Sequence, residues 1–596
     1  MLNKTDAPFS LAHISLLFIG LMWVLPFLNY YHAYPITTFY QEWGAVLLGL
    51  CATPLLVTRR YWQQPEVPRI LLLPLGLILL ILTQFALGKI PYFDQTLLYT
   101  LYLLWAALLI MLGQRLRAEL GLPVLATALA VFLLLGAELN ALAGVIQHYR
   151  WHTFLNSVIT VKISNAVYGN LGQPNHFADY ISLGLASLGL LYAHWRMRIW
   201  QVTLLAAPLL FVLVLSGSRS TWLYLLCLAA MTFLWQRREH ATRHLLKFSL
   251  LLMLGFGLMH FIVQLPWLAG ASGSVTSVER LVTQGAASFS QGGESSIRLR
   301  IWHEAWLIFA QFPLLGAGMG QFAWQHFLLG PSQQNIDITG LYNNAHNLVM
   351  QTAAEMGLVG LALLFGTLAL WFWHVRKAPR TLYHWWGYAL LTVLGIHSLL
   401  EYPLWYAYFL GVAALLLGML DNASYRLELR GVGRLSALAI ILFGVLSLTQ
   451  LWNGYRDLEI LTNQSSGSAG DDEYAQRMSA VRWQSLLRPY AELLMSGMID
   501  VSDENLAEKR TLNENAMRFV PVGPLVYRHA LLLAQSGEEA AAQAQMERAI
   551  WSYPGNFQRA HEQLDGLARK DPAHFAALLK FASQKYEERQ LAVHTR

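Results

Sequence analysis

The sequence predicts an all-α, polytopic membrane protein of about thirteen transmembrane helices, followed by a polar helical tail. Three observations lead there. The 596 residues are 55% hydrophobic and only 13% charged, with a mean hydropathy of +0.40. The apolar residues gather into runs long enough to cross a bilayer, which takes about 20 helical residues. The basic residues alternate from loop to loop in the manner of a protein with a fixed orientation in the membrane.

The runs fall near 11–28, 41–58, 70–87, 96–113, 122–146, 177–194, 199–215, 219–235, 246–266, 347–374, 385–400, 404–420 and 435–452. The first carries no small-residue cleavage site behind it and reads as a retained span. Taking the loops alternately, one set holds Arg59, Arg60, Arg69, Arg115, Arg117, Arg196, Arg198, Arg237, Arg238, Arg243, Lys247, Arg376, Lys377, Arg380, Arg426, Arg430 and Arg434. The other set of short loops holds Lys89, Arg150, Lys162 and Arg219. The first set is then cytoplasmic, as is the N-terminus. The long loop at 267–346 and everything after residue 452 lie outside, in the periplasm of a bacterial inner membrane. Domain boundaries follow: 1–452 in the membrane and 453–596 as a soluble helical unit.

Other classes drop out on composition. Cys51 and Cys227 both sit inside apolar runs, so neither a disulfide framework nor a cysteine metal site can be built. The net charge of +6 is spread over short loops, unlike the basic stripe of a nucleic-acid binder. No Asp-x-Asp, no HExxH and no paired outer-loop carboxylates offer a divalent ion its ligands. The glycines of GAGMGQF, 316–322, have no preceding strand and no helix-plus-acid pattern after them, which argues against a dinucleotide loop.

The chemistry-bearing residues cluster on the outer side. In GLYNNAHNLVMQTAAEMGLVG, 340–360, a polar run stops and an apolar helix begins. His346 stands at that junction, where a titratable group can act on a substrate arriving from the lipid. The simpler role for Asn343, Asn344 and Asn347 is to cap the helix. Arg219, in SGSRSTW, opens a span and breaks the charge rule. An arginine inside the core would cost roughly 2.5–3.5 kcal/mol, so it either snorkels or clamps a phosphate, which its guanidinium fork matches. YGNLGQPNHFADY, 168–180, sets a tight turn with its Gly, Pro and Asn and then a helix with His176 and Asp179 near its start, where anions are favoured.

In the long loop, GSVTSVERLVTQ reads as a short helix. SSIRLRIWHEAWLIFAQF, 295–312, reads as an amphipathic one, with Ile301, Trp302, Ala305, Trp306, Ile308, Phe309 and Phe312 on its apolar stripe and Arg298, Arg300, His303 and Glu304 polar. Glu138, Glu355 and Glu401 fall within apolar runs. Glu355 lies nine residues past His346, about 14 Å deeper and on the opposite helix face, so pairing with another span is expected. Glu401, in HSLLEYPLWY, sits at the outer end of a span. In the tail, LVYRHALLLAQSGEEAAAQAQMERAIWSYP places Ala530, Ala542, Ala549 and Pro554 at the small and closing positions of a tetratricopeptide unit.

Arginines, a histidine and an apolar cavity suit a lipid pyrophosphate. The cations hold the leaving group while the histidine takes a proton from an attacking hydroxyl. In combination, GNLGQPNHFADY, SGSRS, RLRIWHEAWLIF with PLLGAGMGQF, and NNAHNLVMQTAAEMGLVG resemble the O-antigen ligase/polymerase superfamily. More closely, they resemble bacterial protein O-oligosaccharyltransferases of the pilin glycosylation ligase (PglL) type. The likeness covers about 160–420, and the tail also resembles that family's C-terminal region. The resemblance implies a GT-C-like membrane bundle and a metal-independent, inverting glycosyltransferase without cofactor. Such an enzyme moves a glycan from undecaprenyl pyrophosphate to a Ser/Thr hydroxyl of a periplasmic protein such as pilin. It matches His346 to the family's functional histidine, and Arg219 with Arg298 or Arg300 to its arginines. Gln173, Asn175, His176, Asn347 and Glu401 are then expected to shape the site. Ligation of O-antigen to lipid A core, or O-antigen polymerisation, would differ only in acceptor. A lipid-glycan transporter would show paired broken helices in two halves, and a scaffold would leave the polar span ends unused.

Overall fold

Helices form where the apolar runs are, because backbone groups in lipid have only intrahelical partners. The computed structural model describes residues 10–63, 65–236, 243–266, 294–334, 338–427, 429–463 and 471–594, with Leu268, Thr276 and Ile336. Among the described residues, seven helices are long and apolar enough to cross a membrane: Leu11–Leu28, Arg69–Ala86, Phe93–Leu120, Leu122–Tyr149, His244–Ile262, Leu348–Val375 and Gly431–Asn463. Ile199–Leu215, Ser220–Gln236 and Ala407–Leu420 are shorter apolar helices. The remaining expected spans also carry helices, at Phe39–Cys51, Pro174–Trp195 and Leu382–Ser398. The short helix expected at 273–284 lies outside the described residues, apart from Thr276.

The chain divides into two units. One comprises 1–77, 101–290 and 363–449; the other comprises 78–100, 291–362 and 450–596. The first unit is built around the Pro174–Trp195 helix, in which every residue from His176 to Tyr192 is buried. A helix covered on all sides can carry polar side chains that a lipid-facing helix cannot, and this one carries His176, Asp179, Ser182 and Ser187. Tyr180 stacks on Phe27, with ring centroids 4.0 Å apart, and donates its hydroxyl to the Trp23 carbonyl at 2.8 Å. The Phe93–Leu120 and Ala407–Leu420 helices touch backbone to backbone. A Cβ on Gly418 would lie 1.9 Å from the Ile110 carbonyl oxygen, and one on Gly113 2.3 Å from that of Leu415. Small residues permit this approach, on which helix association in lipid depends.

One element departs from the all-α expectation. Glu66–Pro68 pairs antiparallel with Ser424–Arg426, Val67 facing Tyr425. Both segments are loops of the arginine-rich set. Asp421 secures the pair by accepting from the Ala423 N–H at 2.9 Å and the Ile70 N–H at 3.3 Å. Strands of three residues carry too little alternation to be read from sequence.

In the second unit, the Glu294–Gln311 helix forms as expected and buries Ile301, Ala305 and Ile308, while Trp306 stays exposed. Glu304, placed with the polar face on sequence, is buried instead. It pairs with His326 of the Phe322–Gln333 helix, and a buried carboxylate is tolerated when so paired. The tail contributes Asp471–Gln484, Arg488–Gly497, Leu506–Phe519, Gly523–Gln535, Glu539–Ser552, Phe557–Lys570 and Pro572–His594. Ala530, Ala542 and Ala549 are fully buried in its core, together with Phe327 of the Phe322–Gln333 helix.

Within this tail core, burial and the nearby Arg510 guanidinium push the His529 imidazole from 6.5 down to about 4, against the pull of Glu538. The folded ring therefore stays neutral where the unfolded ring takes up a proton. Stability is complete above pH 6.5 and falls as pH drops from there toward 4, by up to about 3 kcal/mol. Thermal melting of the detergent-solubilised chain is expected to fall over this window, and His529→Leu is expected to flatten part of the fall.

Candidate functional site

The first unit gathers one set of the expected residues. Gly169–Leu171 makes a 3-10 turn, Gly172 follows at φ +72°, and the helix starts at Pro174. The Gln173 side chain caps it by accepting the His176 N–H. Asn175 donates to Glu401 at 2.8 Å, and its carbonyl accepts from the Ser218 hydroxyl at 2.8 Å. Ser218 reaches the Ser220 hydroxyl at 2.8 Å. The two serines flank Arg219, which is half-buried at the start of the Ser220–Gln236 helix. Gln173, Asn175, His176, Glu401 and the SRS segment thus meet where three helices begin or end.

Two residues that sequence reasoning missed complete this set. His176 Nδ1 lies 2.8 Å from His397 Nε2, and His397 Nδ1 lies 3.0 Å from the Tyr224 hydroxyl. All three side chains are buried. A chain of two imidazoles and a phenol must run its hydrogen bonds in one direction, so Tyr224 and His397 govern which nitrogen of His176 bears the proton. The available signal was spacing: His397 precedes Glu401 by one turn, and the Glu401 N–H donates to the His397 carbonyl at 2.7 Å.

The second unit holds Arg298, Arg300, His346 and Asn347. His346 adopts φ +51°, a left-handed conformation that costs a non-glycine residue of order 1–3 kcal/mol. Its N–H donates to Asn344 Oδ1 at 2.8 Å, and its Nδ1 lies 3.1 Å from the Asn344 carbonyl. A carbonyl only accepts, so Nδ1 carries a hydrogen in this contact, and in the neutral ring the lone pair is then on Nε2. Helix capping, the simpler role open to this stretch, falls to Asn347, whose Oδ1 accepts from the Val349 and Met350 N–H groups at 2.9 and 3.1 Å. Arg298 and Arg300 are half-buried on the Glu294–Gln311 helix.

Glu355 is paired with a loop and a helix start, where another span was expected. Its carboxylate accepts the Phe322 N–H at 3.0 Å, at the start of the Phe322–Gln333 helix, where negative charge is favoured. The residues just before that start are the glycine-rich segment. Gly357 breaks the Leu348–Val375 helix with φ +63° and ψ −159°. The freed N–H groups of Leu358 and Val359 donate to the Pro313 and Leu314 carbonyls at 2.8 and 3.1 Å. The carbonyls of Ala354 and Glu355 accept from Ala317 and Gly318 at 2.9 and 3.1 Å. Gln84 ties the same place, donating to the Leu315 and Glu355 carbonyls at 2.6 and 2.8 Å. GAGMGQF is therefore a structural splint. Among the described residues no three His, Cys, Asp or Glu side chains converge on a metal-sized site. The chemistry on offer is guanidinium, imidazole, carboxylate and amide.

Three family profiles match the chain: the O-antigen ligase profile over 204–365, the C-terminal profile of the virulence-factor membrane-bound polymerases over 385–565, and the protein glycosylation ligase profile over 167–192. Every residue expected at the site lies inside one of them. A relative from Acinetobacter baylyi, described as a general O-oligosaccharyltransferase, is 27% identical over 466 residues, covering 76% of this chain and 78% of its own. The chain is thus similar to the O-antigen ligases and reads as a glycosyltransferase with membrane-spanning helices. Its similarity to the protein O-oligosaccharyltransferases rests on the protein glycosylation ligase match at 167–192 and on the relative from Acinetobacter baylyi.

Asn175 gives the Glu401 carboxylate a neutral amide donor at 2.8 Å. Asn175→Asp sets two carboxylates about one hydrogen bond apart, a like-charge contact. The expected outcome is a lower melting temperature at pH 7 and at least tenfold slower glycan transfer, read by acceptor mass, with Asn175→Gln less affected.

Proposed function

We propose that this protein transfers an oligosaccharide from undecaprenyl pyrophosphate to Ser or Thr hydroxyls of periplasmic proteins such as pilin, at a site facing the periplasm. The carrying observation is His346. Its Nδ1 is committed to a carbonyl and its Nε2 keeps the lone pair, and it lies in the region matched by O-antigen ligases. His346 Nε2 takes the proton from the acceptor hydroxyl, or aligns that hydroxyl, as its oxygen attacks the anomeric carbon. The bond to the pyrophosphate oxygen breaks on the opposite face, so a single displacement inverts the configuration. Arg219 and the Arg298/Arg300 pair hold the departing pyrophosphate, whose negative charge grows as the bond breaks. Gln173, Asn175, His176, Asn347 and Glu401 shape the surroundings of these groups. The step needs no cofactor or metal.

The finer architecture belongs to the same proposal. Thirteen spans place the arginine-rich loops and the N-terminus in the cytoplasm of the inner membrane and the C-terminus in the periplasm. The tail, 453–596, works as a tetratricopeptide-like unit against the acceptor protein. The loop charge asymmetry and the buried alanines of the tail support this arrangement.

A general base contributes about 10²–10⁴ in rate. In cells or proteoliposomes supplied with a lipid-linked glycan and a pilin-type acceptor, His346→Ala is expected to lose at least a hundredfold of transfer, read by intact mass of the acceptor. Donor binding is expected to persist, and Arg219→Ala is expected to weaken it. Unmodified acceptor alongside glycosylated lipopolysaccharide would reassign the protein to ligation onto lipid A core. Glycan crossing the bilayer without acceptor would make it a transporter.

A further inference from the structure

We propose that Trp302 is a positioning residue for His346, its indole N–H fixing the direction in which the imidazole presents Nε2. This rests on His346 acting at the acceptor hydroxyl, as proposed above. A left-handed histidine persists only where the surroundings over-determine it. The contacts of His346 with Asn344 are local, and they would travel with the loop if the loop swung. The residue that ties the loop to the scaffold is Ala345, which is fully buried. Both of its backbone groups are taken by side chains. Its carbonyl accepts from Trp302 Nε1 at 2.9 Å, and its N–H donates to Gln351 Oε1 at 2.7 Å. With no water to substitute, loss of either partner strands a buried polar group.

The two partners come from two directions. Gln351 belongs to the helix that begins just after His346, and its side chain also interacts with the Glu355 carboxylate one turn on. That carboxylate holds the start of the Phe322–Gln333 helix. Trp302 belongs to the Glu294–Gln311 helix, exactly one i,i+4 step beyond Arg298, so the two share a helix face. Its ring packs in the cluster formed by Ile301, Ala305, Ile338, Ala345 and Tyr342. Two residues further on, Glu304 joins the same helix to His326. Arg298 and His346 are thereby indexed to one rigid element through the Trp302 hydrogen bond.

Trp302→Phe keeps an aromatic ring and removes the donor. In the full-length protein, kcat is expected to fall about tenfold, while KM for the lipid-linked donor and for the acceptor stays within about twofold. Added to His346→Ala, Trp302→Phe is expected to cause no further loss, because a residue that acts only through His346 has nothing left to position. Losses that multiply in the double variant, or a rise in KM at unchanged kcat, would overturn the proposal. If Trp302→Phe does not accumulate, Gln351→Met is measured in the same cycle with the same two outcomes. A fully active His346→Ala sinks the catalytic reading itself. An inactive His346→Ala beside a Trp302→Phe of wild-type kcat sinks only the positioning role.

Discussion

The repaired break in the Leu348–Val375 helix is the contact on which the second unit depends. Gly357 interrupts the helical ladder, and residues 313–318 restore it with four backbone hydrogen bonds. Such a break would strand buried donors and acceptors if the repairing segment moved away. The repair needs close approach. A Cβ on Gly316 would lie 2.2 Å from the Glu355 carbonyl carbon, and one on Gly357 2.5 Å from the Leu314 oxygen. The benefit is rigidity on either side of the break. The amphipathic helix with the arginines precedes the splint, and the histidine loop precedes the broken helix.

Buried polar groups are the second recurring feature. In the first unit they form short chains between helices: Glu401–Asn175–Ser218–Ser220 and His176–His397–Tyr224. Chains of this kind are satisfied only in one arrangement of the helices that contribute them, so they specify that arrangement as well as serve chemistry. The second unit uses the Glu304–His326 pair and the Ala345 clamp to the same end.

The membrane class was legible because apolar run length and loop charge are physical necessities of crossing a bilayer. His346 and the Gln173–His176 turn were legible because polar, turn-forming residues abut an apolar run, a local pattern. What sequence could not supply was pairing over distance. Glu355 meets an amide thirty-three residues earlier, Glu304 meets a histidine twenty-two residues later, and His176 meets His397 across most of the first unit. Nothing in the neighbouring sequence of any of them names its distant partner. Likewise, Trp302 reads as one member of an apolar stripe, and only its N–H distinguishes it from its neighbours.

The position of Phe327 has a consequence for how this chain can be taken apart. Phe327 comes from the segment between the membrane helices, yet its ring is buried in the core of the tail, and the Gly340 N–H donates to the Ser552 carbonyl at 2.8 Å. The tail is therefore not a detachable module hung on the end of the chain. A truncation after residue 463 would remove the far side of a shared core and leave Phe327 and Trp324 facing water, close in sequence to the arginine-bearing helix. Loss of activity in such a truncation would report damage to that inner segment as readily as loss of acceptor recognition. Chimeras that exchange tails between relatives would have to exchange the Phe322–Gln333 helix with them.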